Sequence, residues 1–212
     1  MTGQNSWASN MKRPLTVGGL VTAWLGLASL PGACGAELGF AASAEAIEKA
    51  LSRAAHTART RGFVPASPTI RALKYLGEGQ AAEVEVTPTS AAAPAVNLSV
   101  EFALDSAQLR PTGQRLLQEL AAALQRPTLA DKPIALRGHT DSTGAERYNL
   151  RLSLRRARAV RDYLVGTARL AAERFTLYGL GEGDPVASNT TPAGRQRNRR
   201  VEVIARAAGR AD

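Results

Sequence analysis

The chain is poor in the side chains that most often announce chemistry. Its 212 residues include one cysteine, Cys34, and two histidines, His56 and His139. A single thiol cannot build a disulfide framework, and two distant imidazoles do not form a spaced zinc motif, so a cysteine-stapled fold and a familiar metalloenzyme are excluded. Aromatic residues make up 5% of the chain, and both tryptophans, Trp7 and Trp24, fall in the first 34 positions. Beyond Cys34 there is no tryptophan, so stacking on sugar rings is poorly supplied. Acids are scarce beside bases: 27 Lys and Arg against 18 Asp and Glu give a formal net charge of +9. What the chain does have is apolar bulk, 44% of all residues. That suffices for one ordinary domain with additional segments, and neither a disordered polymer nor a multi-pass membrane protein is expected.

From Met11 the chain reads Lys12-Arg13, an apolar stretch from Leu15 to Leu30, Pro31, and then small residues to Ala36. That three-part order predicts a signal peptide over residues 1–36, with translation starting at Met11, cleavage near Ala36 and export of the product. The stretch is shorter than the roughly twenty apolar residues of a spanning helix, and Gly18, Gly19 and Gly26 interrupt it. Cys34 leaves lipidation as an alternative, although Pro31 stands where a lipoprotein signal carries leucine. Residues 37–96 are expected to hold a short helical segment, with Ile47, Ala50, Leu51 and Ala54 on one side, followed by a Pro- and Ala-rich linker. Within that linker a short extended stretch is expected around Ala82 to Val86.

The pattern changes after Asn97. Leu98, Val100 and Phe102 alternate with polar neighbours as in a half-buried strand. Pro111 opens a helix to about Leu124, and a second strand ends at Gly138. A long helix is predicted from Ala145 to Val165, and further strands at Phe175–Gly179 and Val201–Ala205. The order β-α-β-α-β-β predicts an α+β sandwich over residues 97–208, with helices packed on one mixed sheet and a 209–212 tail.

One residue breaks the pattern of the long helix. At about 100° per residue, Tyr148, Leu152, Val160, Tyr163 and Leu164 share an apolar arc, while Arg147, Arg151, Arg155, Arg158 and Arg161 project away from it or onto its edge. Arg156 falls between Leu152 and Val160, where an unpaired guanidinium would lose several kcal/mol of hydration. Either a structural salt bridge or an anionic ligand must satisfy it. The nearest acid in the pattern is Asp141, delivered by Gly138-His139-Thr140-Asp141 to the start of the helix; Asp141 or Ser142 could equally cap that helix.

Gly138-His139-Thr140-Asp141, Gly144, Tyr148-Asn149, Leu152-Ser153, Arg156-Ala157, Gly179, Gly181, Pro185 and Asn198-Arg199-Arg200-Val201 together closely resemble the OmpA-like peptidoglycan-binding domain, also carried by Pal and MotB. The resemblance implies an aspartate and an arginine, here Asp141 and Arg156, that grip the diaminopimelate of the peptidoglycan stem peptide. It further implies that Thr143, Asn149 and Leu152 line the same cleft and that Arg199 closes it; because Ala103 stands where many relatives carry a polar residue near the ligand, the first loop is expected to stay out of the site apart from Asp105. Function would then be non-covalent attachment of the cell envelope to the wall, without catalysis or cofactor. The location implied is the periplasm or outer membrane of a Gram-negative-type envelope.

Two other classes remain for comparison. The arginine-rich helix face would suit nucleic acid or another anionic polymer, but export argues against nucleic acid. His139 and Asp141 could form an acid and base pair in a wall-acting enzyme, yet no nucleophile, metal set or glycosidase-like carboxylate pair accompanies them.

Overall fold

The computed structural model describes residues 36–38, 43–52, 69–88, 94–103 and 105–206. The expected signal sequence up to residue 35, with Cys34, lies outside them, as do Ala54 and the tail. Eleven strands and α-helices follow in order: β1 (Ala36–Leu38), α1 (Ala44–Ser52), β2 (Ile70–Gly77), β3 (Gln80–Val86), β4 (Ala95–Leu98), α2 (Pro111–Leu124), β5 (Ile134–His139), α3 (Glu146–Ala168), β6 (Phe175–Gly181), α4 (Pro192–Asn198) and β7 (Val201–Ala205). The strands form one mixed sheet in the order β1-β4-β7-β5-β6-β2-β3. β5 runs parallel to β6 and antiparallel to β7. The class is α+β.

Sequence patterning accounts for the helix-covered face. Pro111 occupies the first turn of α2, where its missing N–H costs nothing. Leu116, Leu117, Leu120 and Leu124 then repeat at helical spacing and are all buried. They join Leu136 of β5, Leu177 of β6, Val201 and Val203 of β7, and Val160 and Leu164 of α3 in one core. Burial of each such side chain stabilises the fold by about 1.5–3 kcal/mol before entropy is counted. α1 packs on α2 and β4, inserting Ile47 and Leu51 into the same core. A smaller cluster, including Ala135, Tyr178 and Ile204, belongs to alternate positions of the same strands and hence to the opposite face.

Several expectations are corrected. The strand expected over Leu98–Phe102 lies earlier, as β4, where all four residues are buried; Phe102 makes only an isolated bridge with Leu109. The stretch read as a linker contains the β2–β3 hairpin, whose β2 also pairs with β6 and extends the sheet. α4 was not anticipated. Thr191 caps it by accepting the Gly194 amide, and Pro192 stands in its first turn. The residue before α3 is Ala145, with no side-chain cap, so neither Asp141 nor Ser142 fills that role. Tyr148, assigned to the apolar arc, is 39% exposed because it sits in the first turn of α3.

Candidate functional site

Glycine lets α3 press against the sheet. A Cβ on Gly138 would stand 2.0 Å from Ser153 O, and one on Gly179 would stand 2.6 Å from Leu150 O. Ser153, fully buried, completes the joint: its Oγ accepts the Gly181 amide and donates to Leu150 O, each at 2.9 Å. The helix face bearing Asn149, Leu152 and Arg156 is thereby fixed relative to the loop that follows β5.

A cleft of about 500 Å³ opens at this end of the sheet. Asp105, Asp141, Thr143, Asn149, Leu152, Arg156 and Arg199 all line it, so the fold gathers every site residue expected from the sequence. Phe102, Ala103, Arg110, Thr140, Tyr148 and Arg195 complete the wall. These escaped sequence reading for different reasons. Tyr148 stands next to Asn149 in the quoted motif and could have been included, whereas the expectation that the first loop contributes only Asp105 is corrected: Phe102, read as a strand residue, lies past the end of β4 and lines the cleft with Ala103 and Arg110. Arg195 is tied to the preceding loop through Asn189 O at 2.9 Å and Thr190 O at 3.2 Å.

Arg156 is 7% exposed. Its Nε donates to Ser106 O at 3.2 Å, and its guanidinium carbon lies 5.2 Å from the centre of the Phe102 ring. Among the described residues no carboxylate forms an ion pair with it. Burial, followed by repulsion from Arg199, lowers its pKa below the ordinary arginine value, while Asp141, Tyr148 and Asp105 pull the other way. The group remains a cation.

The expected partnership between Asp141 and Arg156 is indirect. Asp141 Oδ2 receives Arg199 Nη1 at 2.7 Å, and its Oδ1 accepts the Thr143 amide at 3.0 Å. Burial tends to raise the Asp141 pKa, but the hydrogen bonds from Arg199 and Thr143 outweigh it and hold the carboxyl below its usual range. Asn149 acts as a brace: its amide nitrogen donates to Asp141 O at 3.4 Å, Thr143 O at 3.2 Å and Glu182 Oε2 at 2.8 Å. Across the cleft the Tyr148 hydroxyl donates to the Asp105 carboxylate, which raises the phenol pKa above its ordinary value.

His139 is not part of this wall. It is 1% exposed, its Nε2 lies 3.9 Å from Glu202 Oε2, and burial above all lowers its pKa, which keeps the ring neutral. The acid and base pair weighed for an enzyme is thus divided between the cleft and the interior. Among the described residues no group of three His, Cys, Asp or Glu could hold a metal, and no helix is long and apolar enough to cross a membrane.

The fold and cleft define an α+β module with one buried cation, Arg156, and two acids, Asp105 and Asp141, along a single cleft. The OmpA family model matches residues 101–199. Over 105 residues the chain is 40% identical to the "Peptidoglycan-binding protein ArfA" of Mycobacterium tuberculosis, covering 50% of this chain and 31% of that protein. It is 41% identical to "Outer membrane protein A" of Bordetella avium over 107 residues, 50% of this chain and 54% of the relative. The chain therefore spans about a third to a half of the length of these relatives. Among solved structures, the peptidoglycan-associated lipoprotein from Burkholderia pseudomallei is 31% identical, with 50% of this chain and 88% of that one covered and a TM-score of 0.42. The cell wall anchor of the T6SS from Pseudomonas aeruginosa is 39% identical over 49% and 73% of the two chains, with a TM-score of 0.44. The chain belongs to the OmpA family.

Proposed function

We propose that the domain binds peptidoglycan non-covalently and without catalysis, gripping the diaminopimelate of the stem peptide and so anchoring envelope to wall. Diaminopimelate presents an ammonium and a carboxylate on one carbon. A guanidinium and a carboxylate in one cleft can answer both charges, Arg156 meeting the ligand carboxylate with its planar fork and Asp141 accepting from the ammonium. Leu152 and Phe102 supply an apolar wall that excludes water and strengthens both contacts. Thr143 and Asn149 hold the loop bearing Asp141, and Asp105, bonded to Tyr148, shapes the rim.

One observation carries this reading: a buried arginine with no acid of its own lines the same cleft as an aspartate. The name of the relative ArfA, a peptidoglycan-binding protein, supports the coarser part of this reading, attachment to peptidoglycan. The same relatives favour an envelope location, with export by the basic and apolar segment after Met11.

Co-sedimentation with purified sacculi tests the proposal. Asp141→Ala should leave a folded protein that stays in the supernatant, whereas Arg151→Ala, exposed on α3 and outside the cleft, should sediment as the wild type does. Free diaminopimelate should release the wild type. Weaker sedimentation of Arg151→Ala, with Asp141→Ala sedimenting as well as or better than the wild type, would reduce binding to unspecific charge attraction, and release of soluble muropeptides would point to an enzyme instead.

A further inference from the structure

The Asp141 carboxylate is already occupied. Arg199 Nη1 stands 2.7 Å from Oδ2, and the Thr143 amide takes Oδ1. An incoming ammonium therefore meets an acid whose charge has been answered from within the chain. The two partners are unequal: the Asp141 side chain is 13% exposed and that of Arg199 44%. Asp141 is held in its loop by the Thr143 amide, and Arg199, immediately after α4, is the more exposed of the two partners. Arg199 also lies close enough to Arg156 for the two cations to repel, and both line the cleft.

We propose that Arg199 is a specificity-determining latch: a ligand ammonium replaces it on Asp141, and the displaced guanidinium joins Arg156 on the ligand carboxylate. The proposal rests on the diaminopimelate reading above and assigns a reason for its selectivity. A ligand carrying only an ammonium must break the Asp141–Arg199 pair and leave Arg199 beside Arg156 with no anion between them. A ligand carrying only a carboxylate meets Arg156 alone, because Arg199 remains on Asp141. Both charges on one carbon exchange one internal ion pair for a set of ligand pairs with no cation stranded. A partly exposed pair such as this one contributes up to about fivefold in an equilibrium constant, so the latch tunes selectivity without blocking entry.

Calorimetric titration of the full chain with three probes tests it: meso-diaminopimelate, pentane-1,5-diamine as the ammonium-only analogue, and heptanedioate as the carboxylate-only analogue. Wild type should prefer diaminopimelate over both. Arg199→Gln should bind the diamine about fivefold more tightly than wild type does while losing affinity for diaminopimelate. Arg151→Gln removes the same charge from the exposed face of α3, outside the cleft, without uncovering Asp141, and should change diamine binding by less than about twofold. If Arg199→Gln weakens diaminopimelate with no gain for the diamine, Arg199 is only a wall residue and the latch is overturned. An equal gain in Arg151→Gln also overturns it, as a general charge effect. A wild type that ignores diaminopimelate, with the diamine gain intact in Arg199→Gln, sinks the function reading and keeps the competition on Asp141. A wild-type measurement guards against a misfolded variant: diaminopimelate should shift the Arg199 side-chain NMR resonance as it does that of Arg156, and an unmoved Arg199 contradicts the proposal.

Discussion

Two buried arginines, Arg156 in the cleft and Arg200 behind it, face the same desolvation and meet it differently. Arg200 is 4% exposed and Arg156 7%. Arg200 donates through Nε to Asn97 Oδ1 at 3.0 Å and through Nη2 to Asp184 O at 3.0 Å, with the Asp184 carboxylate 3.7 Å away. Its charge is spent within the protein, tying the start of β7 to β4 and to the loop after β6. Arg156 has one carbonyl, a ring face and a cleft. Burial alone does not separate these two arginines; the inventory of their acceptors does, and it is on that inventory that the proposed ligand role of Arg156 rests.

The largest expected effect tests the first half of that contrast. Arg200→Ala leaves Asn97 and Asp184 without their donor and should cost about 3–5 kcal/mol in urea unfolding, with wall binding lost only as far as the protein unfolds. Next comes the joint that aims Arg156. Gly138→Ala inserts a methyl against Ser153 O and should destabilise the fold by about 1–3 kcal/mol; because α3 must move, the fraction still folded should bind sacculi more weakly. Arg156→Met is the reverse case. Replacing a buried cation that has no acid partner should change stability by less than about 1 kcal/mol, or raise it, while abolishing co-sedimentation.

A smaller effect follows from pH. Hydrogen bonds hold the Asp141 carboxyl below its ordinary value of 3.8 in the folded state. The stability it contributes is therefore fully present above the unfolded pKa and is lost as pH falls through the lower folded value. Diaminopimelate binding should persist as pH approaches 3.8 and decline only below it, with circular dichroism monitoring the fold. Arg199→Gln should move that decline to higher pH. The smallest change is expected for Arg151→Ala, an exposed substitution on the outer face of α3, within about 0.5 kcal/mol of wild type.

The contrast also marks what sequence could reveal. Strong periodicity placed α2 at its observed bounds and put Arg156 on the buried face of α3, because a charge among leucines stands out at 3.6-residue spacing. That Asp141, Thr143 and Asn149 line one cleft was legible from the family resemblance of the Gly138–Asn149 motif. Of the β2–β3 hairpin only the extended stretch at Ala82–Val86, which lies inside β3, was legible: β3 alternates only between exposed and half-buried positions, and the surrounding prolines suggested a spacer. β4 was displaced because the alternation over 98–102 continues after the chain has left the sheet at Leu98. Nor could the sequence tell that Arg199, rather than Arg156, holds Asp141. That pairing joins residues 58 positions apart through the turn between α4 and β7, and spacing carries no trace of it.

Titration of the intact protein with meso-diaminopimelate, followed by side-chain NMR of Asp141 and Arg156, tests the central claim most directly. Saturable shifts at both groups in the wild type, absent in Asp141→Ala and Arg156→Met, are the expected result. Unchanged resonances at both groups in a protein that still sediments with sacculi would contradict it, and would move wall attachment to another surface.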